Sequence, residues 1–397
     1  MAPRFSLVYP TRHRPAFLAE ALRLLELQSN KDFEVIVSDN WVDPALSCEA
    51  ICNRASLPSL KYVRPPSPVG MVANWNYAAQ FATGDYVCVF TDKMFLLPDA
   101  LARAERAIQA TRHSDGGEVE ILSWVSDAYQ PNAYPDYFGA GTYTAVQADA
   151  DSTDEVVRFS PADELDWKAV GHVSRYEQSP SQYCRGKIVF GAYHRHLIAR
   201  INERFGQLFH DISPDYTSMV LALSIAKSAI ELRSSAVVSI STDLSNGMLG
   251  AVHDKHALGY ISSLSDDIRV LCDNMLVPGL YASQANVVSH DYLALKRRFD
   301  LDVSLDARNW LCHCIEDLGR PDRVWSSAEV EQQQSALMEA CVVALAPDDQ
   351  GQVIQRLEHR FAARSRGKLT TDKPGQRLAW PSPSLASALQ RRSAWSF

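Results

Sequence analysis

The chain has 397 residues, of which 46% are hydrophobic, and it carries a formal charge of −8. This length exceeds a typical single domain, so we expect one large core domain with a smaller appendage. The negative charge argues against a general nucleic-acid binder, and no apolar run approaches the roughly 20 residues that span a bilayer. Without an apolar leader, the protein is expected in the cytoplasm, with the inner face of the membrane as an alternative.

Three apolar strands are predicted in the first hundred residues, and each runs into polar side chains. The strands with the residues that follow them are 5–9 with Pro10, Thr11, Arg12 and Arg14; 35–38 with Asp39 and Asn40; and 86–90 with Thr91, Asp92 and Lys93. Helical patterns separate the strands, which predicts a parallel α/β sheet. Ligands of such sheets bind beyond the carboxyl ends of the strands, so these polar residues should face one crevice.

The polar residues in this predicted crevice are of two chemical kinds. Carboxylates such as Asp39 and Asp92 suit the hydroxyl groups of a ribose or the N–H groups of a base. The guanidinium groups of Arg12 and Arg14 suit phosphate. The pattern therefore favours a nucleotide.

The pattern loosens between residues 114 and 186 into turns, prolines and tyrosines. We interpret this region as a candidate for acceptor recognition, with a solvated surface insertion as the alternative. A strand returns at 188–195, a helix follows at 215–229, and a last core strand is predicted at 236–241.

The C-terminal part of the chain reads as helices followed by a basic tail. Helices with one apolar face are predicted at 261–275, 281–298, 307–318 and 328–346. Residues 356–397 contain nine Lys or Arg residues and two acids. Such a tail suits peripheral contact with anionic lipid, although a disordered or docked terminus is the favoured interpretation.

These patterns divide the chain into predicted units. They are a sheet domain at 1–252, made of a nucleotide-binding half at 1–113 and an acceptor-side half at 114–252; a helical appendage at 253–355; and the tail at 356–397. The eight cysteines are scattered and lack zinc-site spacing, so we expect buried, reduced thiols.

The order of the N-terminal segments resembles the family 2 glycosyltransferases, inverting enzymes of the GT-A fold, over about residues 4–245. The matching segments are 10–14, 37–40, 70–76, 83–86 and 91–93, with Pro98 closing the unit. The resemblance implies a GT-A-like, doubly wound, mostly parallel sheet with helices on both faces and a helical C-terminal appendage. It also implies a nucleoside-diphosphate sugar as donor, with uridine diphosphate as the default.

The resemblance assigns the nucleotide site. Asp39 would meet the nucleobase and Asp92 the ribose, while the turn after Asn40 departs from the family pattern and leaves Asp43 without a role. Asn74 would lie near the nucleotide, whereas Trp75 is expected to pack in the core. The predicted nucleotide-binding residues are Pro10, Thr11, Arg12, Arg14, Asp39, Asn40, Asn74, Thr91, Asp92 and Lys93.

The metal motif of the family, Asp-x-Asp or Asp-Asp, is altered here. Lys93 stands where the family has the acid that meets the metal. An ammonium repels a divalent cation but balances diphosphate charge itself. We hypothesise that Mn²⁺ or Mg²⁺ binds weakly or is dispensable, and that Lys93, with Arg12 or Arg14, balances part of the diphosphate charge in its place. In the alternative, Lys93 points to solvent, and Asp92 holds the metal together with a histidine.

The resemblance places the catalytic base near the start of a helix about a hundred residues later. Asp215 follows Pro214, which suits a first helical turn, and is the first choice; Asp211 is the second. Helix capping explains either acid without catalysis. Family 2 enzymes frequently have a loop after the last core strand that closes over the donor, and the polar composition of residues 239–250 permits such a loop.

These observations predict an inverting transfer of a sugar to a hydroxyl of a polysaccharide, glycan or lipid-linked acceptor, by single displacement. A catalytically degenerate carbohydrate- or nucleotide-binding module is the alternative, in which Lys93 has ended catalysis. A nucleotidyltransferase is disfavoured, because no Gly-rich phosphate loop lies near the N-terminus.

Overall fold

A mixed sheet of eleven strands organises the part of the chain that the computed structural model describes, residues 2–115, 117–146, 156–171, 179–243, 245–265, 267–365 and 377–393. The strands are β1 Phe5–Thr11, β2 Phe33–Asp39, β3 Leu60–Val63, β4 Tyr86–Val89, β5 Met94–Leu96, β6 Ile121–Pro131, β7 Gly141–Val146, β8 Val156–Phe159, β9 Gly191–His194, β10 Ala229–Ile240 and β11 Arg377–Ser382.

Helices connect these strands and form most of the C-terminal region. They are α1 Pro15–Leu25, α2 Glu49–Arg54, α3 Met71–Ala79, α4 Ala100–Asp115, α5 Pro161–Ala169, α6 Pro180–Cys184, α7 Arg195–Phe205, α8 Pro214–Ile225, α9 Asn246–Val252, α10 Asp254–Ser262, α11 Ile268–Cys272, α12 Gln284–Phe299, α13 Ala307–Leu318, α14 Ala328–Val343, α15 Pro347–Ser365 and α16 Leu385–Ser393.

The first four strands form the parallel half of the sheet, in the order β3-β2-β1-β4. Every residue of β1, β2 and β4 is buried, as the near-continuous apolar runs require when helices cover a parallel sheet. The chain passes from β1 through β2 to β3 and then returns to β4 on the other side of β1. This reversal confirms the predicted doubly wound α/β fold.

A close backbone contact explains the glycine before β4. A Cβ atom on Gly84 would lie 2.8 Å from the Ser6 hydroxyl and 2.9 Å from the backbone of Phe5. The Gly84 N–H donates to Ser6 Oγ at 2.8 Å, and Ser6 Oγ donates to Glu34 at 2.6 Å. Any residue with a Cβ atom would clash here, so glycine allows the chain to approach β1 closely just before β4.

Beyond β4 the sheet becomes mixed. Strand β9 runs antiparallel to β4 and β6, whereas β6 and β10 pair in parallel. The eleven-residue strand β6 lies in the region where the sequence predicted turns, because the proline and tyrosine signals at 129–143 outweighed the apolar run 121–125. Residues 116, 147–155 and 172–178 of that region lie outside the described residues.

The C-terminal helices confirm several predicted bounds. Helix α13 occupies the predicted residues, and α12 and α14 differ from prediction by a few residues at their ends. The predicted helix 261–275 is divided between α10 and α11, and α15 was not predicted. The buried side chains of Tyr292, Leu295 and Trp310 belong to the same hydrophobic cluster as the sheet. The boundary at residue 252 stays a prediction.

The described part of the basic tail docks on the sheet. Strand β11 pairs antiparallel with β7, and the Trp380 ring stacks on Tyr143 at a centroid distance of 4.9 Å. Arg392 Nε donates to Asp127 Oδ2 at 2.8 Å, and Asp127 is buried. Residues 366–376 and 394–397 of the tail, with Trp395 and Phe397, lie outside the described residues.

All eight cysteines are free, and seven are buried, which agrees with the expected reduced thiols. Within the described ranges, none of the helices combines the length and the apolarity that crossing a bilayer requires.

Candidate active site

The carboxyl ends of β2, β1 and β4 bring the predicted polar residues together. Thr11 is the cross-strand partner of Asp39 in the parallel β1–β2 pair. Thr11 Oγ1 donates to Asp92 Oδ2 at 3.0 Å, and Arg14 Nη1 donates to Asp92 Oδ1 at 2.9 Å. Asp39, Thr11, Asp92 and Arg14 therefore form a continuous polar row, which we call the strand-end row, while Pro10 is buried within β1 and Arg12 is exposed.

Asp39 offers a buried carboxylate oxygen with no protein partner. The residue is fully buried, and its Oδ2 accepts from the Cys48 N–H at 2.6 Å and from the Tyr62 hydroxyl at 3.0 Å. Its Oδ1 has no hydrogen-bond partner among the described residues. Burial raises the pKa of Asp39, and the hydrogen bonds from Cys48 and Tyr62 oppose that rise. A buried acceptor left over by the protein suits an N–H or O–H group of a ligand.

Three residues near Asp39 were missed by the sequence analysis. The Arg64 guanidinium lies 3.4 Å from the centroid of the Trp41 ring, and its charge lowers the pKa of Asp39. His13 has a positive φ of 59° and accepts from the Val42 N–H through Nε2 at 2.8 Å. The departure from the family pattern at residues 41–43 was the available signal, since it marks the turn that these side chains hold.

Asp43, which the sequence left without a role, caps a short 3-10 turn. Its Oδ1 accepts from the Ala45 N–H at 2.9 Å. This contact accounts for the aspartate without a ligand.

Asn40 and Asn74 hold the scaffold through their amide groups. The Asn40 side chain donates to the carbonyl of Val69 at 2.7 Å and accepts from its N–H at 3.0 Å. Asn74 is buried and accepts from the Ser38 hydroxyl at 2.7 Å. These contacts fix the turn before α3 and the end of β2, so both residues support the crevice from within the protein.

Trp75 packs in the core, as predicted. It is 5% exposed and meets the Phe209 ring edge-on at 5.3 Å. The neighbouring Asn76 side chain bonds the N–H and the carbonyl of Phe209 at 3.1 and 2.8 Å. Helix α3 thus braces the segment that leads to α8.

The strand end at Asp92 fits a divalent cation poorly. Both oxygens of Asp92 are engaged by Thr11 and Arg14. Lys93 Nζ donates to the hydroxyl of Ser245, in the segment after β10, at 2.8 Å. Mg²⁺ and Mn²⁺ take oxygen ligands, and the second acid of the family motif is replaced here by an ammonium, which repels a cation. The buried Thr91 hydroxyl has no partner among the described residues and is a further candidate donor to a ligand.

Asp215 lies in the first turn of α8, directly after Pro214. Burial raises the pKa of its carboxyl group, while the charge of Lys187, the backbone N–H groups of Asp215 and Tyr216, and the charge of Lys93 oppose that rise. The influence of Lys93 links Asp215 to the turn between β4 and β5, which also carries Asp92. A carboxyl group with a raised pKa is a stronger base once it is ionised.

Lys187 is a buried cation beside this carboxylate, and no pattern in the sequence pointed to it. It is 2% exposed, and its Nζ lies 3.8 Å from the centroid of the Tyr183 ring and 4.0 Å from that of the Tyr216 ring. Although burial lowers the pKa of Lys187, the nearby Tyr183, Tyr216 and Asp215 raise it above its usual value. The ammonium therefore stays charged next to Asp215.

Asp211 is engaged by the helical region. It has a positive φ of 46°, and its Oδ1 accepts from Arg298 of α12 at 2.8 Å, while its buried Oδ2 has no partner among the described residues. His210 lies beside the same guanidinium at 3.3 Å. The buried Asp291 of α12 accepts from the N–H groups of Ile212 and Ser213 at 3.1 and 2.9 Å. Helix α12 thus fixes the segment that leads into α8, and Asp211 is held to this helix by its ion pair with Arg298.

Comparison with protein-family models gives a match, which covers the N-terminal part of the chain. The model of glycosyl transferase family 2 matches residues 6–136, which contain the whole strand-end row. No significant match to a curated protein sequence was found.

Solved structures of S. aureus TarS are similar at 15% sequence identity. The crystal structure of TarS aligns with a TM-score of 0.43, covering 88% of this chain and 54% of TarS, so the chain spans about half of that protein. The structures of TarS 1-349 in complex with UDP-GlcNAc and with UDP align with TM-scores of 0.42 and 0.44, each covering 93% of both chains. On this match, residues 6–136 belong to glycosyl transferase family 2.

Proposed function

We propose that this protein is an inverting glycosyltransferase that moves a sugar from a nucleoside-diphosphate sugar to a hydroxyl group of a polysaccharide, glycan or glycolipid. The observation that carries the proposal is the strand-end row, where Asp39 presents an unpartnered buried oxygen beside the Thr11–Asp92–Arg14 contacts. Asp39 would accept from an N–H group of the nucleobase, and Asp92 from a ribose hydroxyl. Uridine diphosphate is the first nucleotide to test.

In the proposed reaction, the hydroxyl oxygen of the acceptor attacks the anomeric carbon of the sugar, and Asp215 takes the proton of that hydroxyl group. The bond between that carbon and the phosphate oxygen breaks, and the nucleoside diphosphate leaves with the bonding electrons. The raised pKa of Asp215 and its electrostatic link to Lys93 support this role. Attack and departure on opposite faces of the carbon give inversion.

The negative charge of the leaving diphosphate would be stabilised by side chains. Lys93 lies in the turn between β4 and β5, Arg14 directly precedes α1, and the exposed Arg12 lies two residues before Arg14. Two guanidinium groups and an ammonium supply the positive charge that a divalent cation provides elsewhere in the family. We therefore propose that turnover does not require Mn²⁺ or Mg²⁺.

The acceptor would approach over the region between β6 and β7. Tyr134 is 42% exposed, and its ring lies 5.6 Å from that of Tyr137, whose hydroxyl donates to Asp243 after β10 at 2.6 Å. Exposed aromatic faces suit the apolar face of a sugar ring. This pair supports a glycan acceptor, and membrane contact by the tail remains a separate proposal.

The first experiment measures thermal stability of the full chain with each common nucleoside diphosphate, once with Mn²⁺ and once with EDTA. We expect one nucleotide to raise the melting temperature equally in both, and the matching nucleotide sugar to be turned over in EDTA. Asp215→Asn should retain nucleotide binding and lose turnover. Binding without turnover by the unaltered protein would favour the degenerate module, and the absence of binding would overturn the donor assignment.

A further inference from the structure

A second cluster of functional side chains lies at the opposite end of the sheet from the strand-end row. His194 ends β9, His196 lies in the first turn of α7, and Glu118 precedes β6. Because β9 runs antiparallel to β4 with His194 opposite Tyr86, the cluster lies where β4 begins, whereas Asp92 lies beyond the point where β4 ends. The proposed reaction uses none of these three residues.

Their donor atoms converge on one point. Glu118 Oε2 lies 3.4 Å from His194 Nε2 and 3.4 Å from His196 Nδ1, and the three atoms lie within 4.8 Å of one another. Zinc binds imidazole nitrogen and carboxylate oxygen at about 2.0–2.2 Å, so ligand atoms in a tetrahedral site lie about 3.3 Å apart. Two of the three separations already match that geometry. Among the described residues, this is the group of metal-ligating side chains whose donor atoms meet in this way.

The surroundings suit a bound ion that keeps contact with water. His194 is 4% exposed and its ring is held edge-on against Tyr86 at 5.0 Å, whereas His196 is 70% exposed on its side-chain surface. The exposed side leaves room for water to complete the coordination.

A hydrogen bond within the cluster must change when an ion binds. His194 Nδ1 accepts from the backbone N–H of His196 at 3.3 Å, so the ring carries its proton on Nε2, facing Glu118. A metal ion on Nε2 would replace that proton, the ring would carry its proton on Nδ1, and the capping contact would be lost. At 3.3 Å this contact is at the long end of hydrogen bonds, so its loss opposes binding only weakly.

We propose that Glu118, His194 and His196 bind one divalent transition-metal cation, with Zn²⁺ as the preferred ion. The ion would join the segment before β6 to the junction of β9 and α7, and its role would be to stabilise the sheet. Imidazole ligands favour Zn²⁺ over Mg²⁺, which prefers oxygen ligands alone.

Titration calorimetry on the chelator-treated full chain tests the site, with ZnCl₂ and separately MgCl₂ as probes. We expect one Zn²⁺ per chain with micromolar or tighter affinity, a rise in melting temperature, and no heat with Mg²⁺. His196→Ala should weaken zinc binding at least tenfold, and because the side chain is exposed, the variant should fold normally. His359→Ala, which removes an exposed histidine of α15, is the matched control.

Two outcomes would overturn this assignment. One is the absence of micromolar zinc binding by the unaltered protein; the other is equal binding by His196→Ala, which would indicate adventitious binding elsewhere. Glu118→Gln provides an independent variant, and we expect it to weaken binding as well. Since calorimetry and melting temperature do not depend on turnover, these results stand whether or not the proposed transfer reaction is found.

Discussion

Replacing Lys93 with methionine should slow sugar transfer without abolishing nucleotide binding. The ammonium donates to Ser245 at 2.8 Å and is partly exposed. A unit charge about 4 Å from a phosphate oxygen, at an effective dielectric constant of about 20, contributes about 4 kcal/mol, and we halve that value for solvent screening. Losing about 2 kcal/mol of transition-state stabilisation predicts a fall in kcat of about 30-fold.

The assay measures release of the nucleoside diphosphate under saturating donor, in EDTA and in Mn²⁺. Lys93→Asp should restore a pair of adjacent acids and make turnover depend on Mn²⁺. The turnover rate of the unaltered protein should be the same in EDTA and in Mn²⁺. Ser245→Ala is the control, because it removes the hydrogen bond and keeps the charge. Full activity of Lys93→Met, or a strict Mn²⁺ requirement in the unaltered protein, would refute the reasoning. Repeating the assay in His196→Ala separates chelator effects at the proposed zinc site.

The other predictions concern the base, its neighbour and the docked tail. Asp215→Asn should lower kcat by about 10²–10⁴-fold, while Asp211→Asn should lower it less, as steady-state kinetics would show. Lys187→Met removes a charge that lowers the pKa of Asp215. The pKa of Asp215 should therefore rise, and the acid limb of the kcat–pH profile should move to higher pH. Lys187→Arg is the control, and an acid limb that does not move in Lys187→Met would exclude this influence. Trp380→Ala should reduce the free energy of unfolding in urea by about 3 kcal/mol, because it empties a buried site against Tyr143.

The parallel half of the sheet was predictable because burial on both faces requires apolar runs, and polar residues mark the point where each run ends. Strand β6 was hidden by the turn residues around it, and strand β11 by its distance in sequence from β7. Pairing between such distant segments leaves no local period in the sequence.

Within the site, the residue types in the sequence predicted where the strand-end row lies, but they did not predict what each side chain contacts. Asn40 and Asn74 were predicted to bind the nucleotide, and that stays a prediction; the structure adds that their amides bond Val69 and Ser38. Lys187 shows the converse, because its burial between two tyrosine rings is a property of packing alone. An amide or an ammonium serves scaffold and ligand equally well, and only three-dimensional neighbours distinguish the two uses.

The pairing of β11 with β7 bears on how the protein is made in a cell. Residues 141–146 are translated long before residues 377–382, and at roughly 5–20 residues per second the interval is about 10–50 s. During that time β7 is an open sheet edge, the feature that invites pairing with other chains. Nascent chains would therefore be most prone to aggregate late in synthesis, and expression at lower temperature or with chaperones should increase the soluble yield.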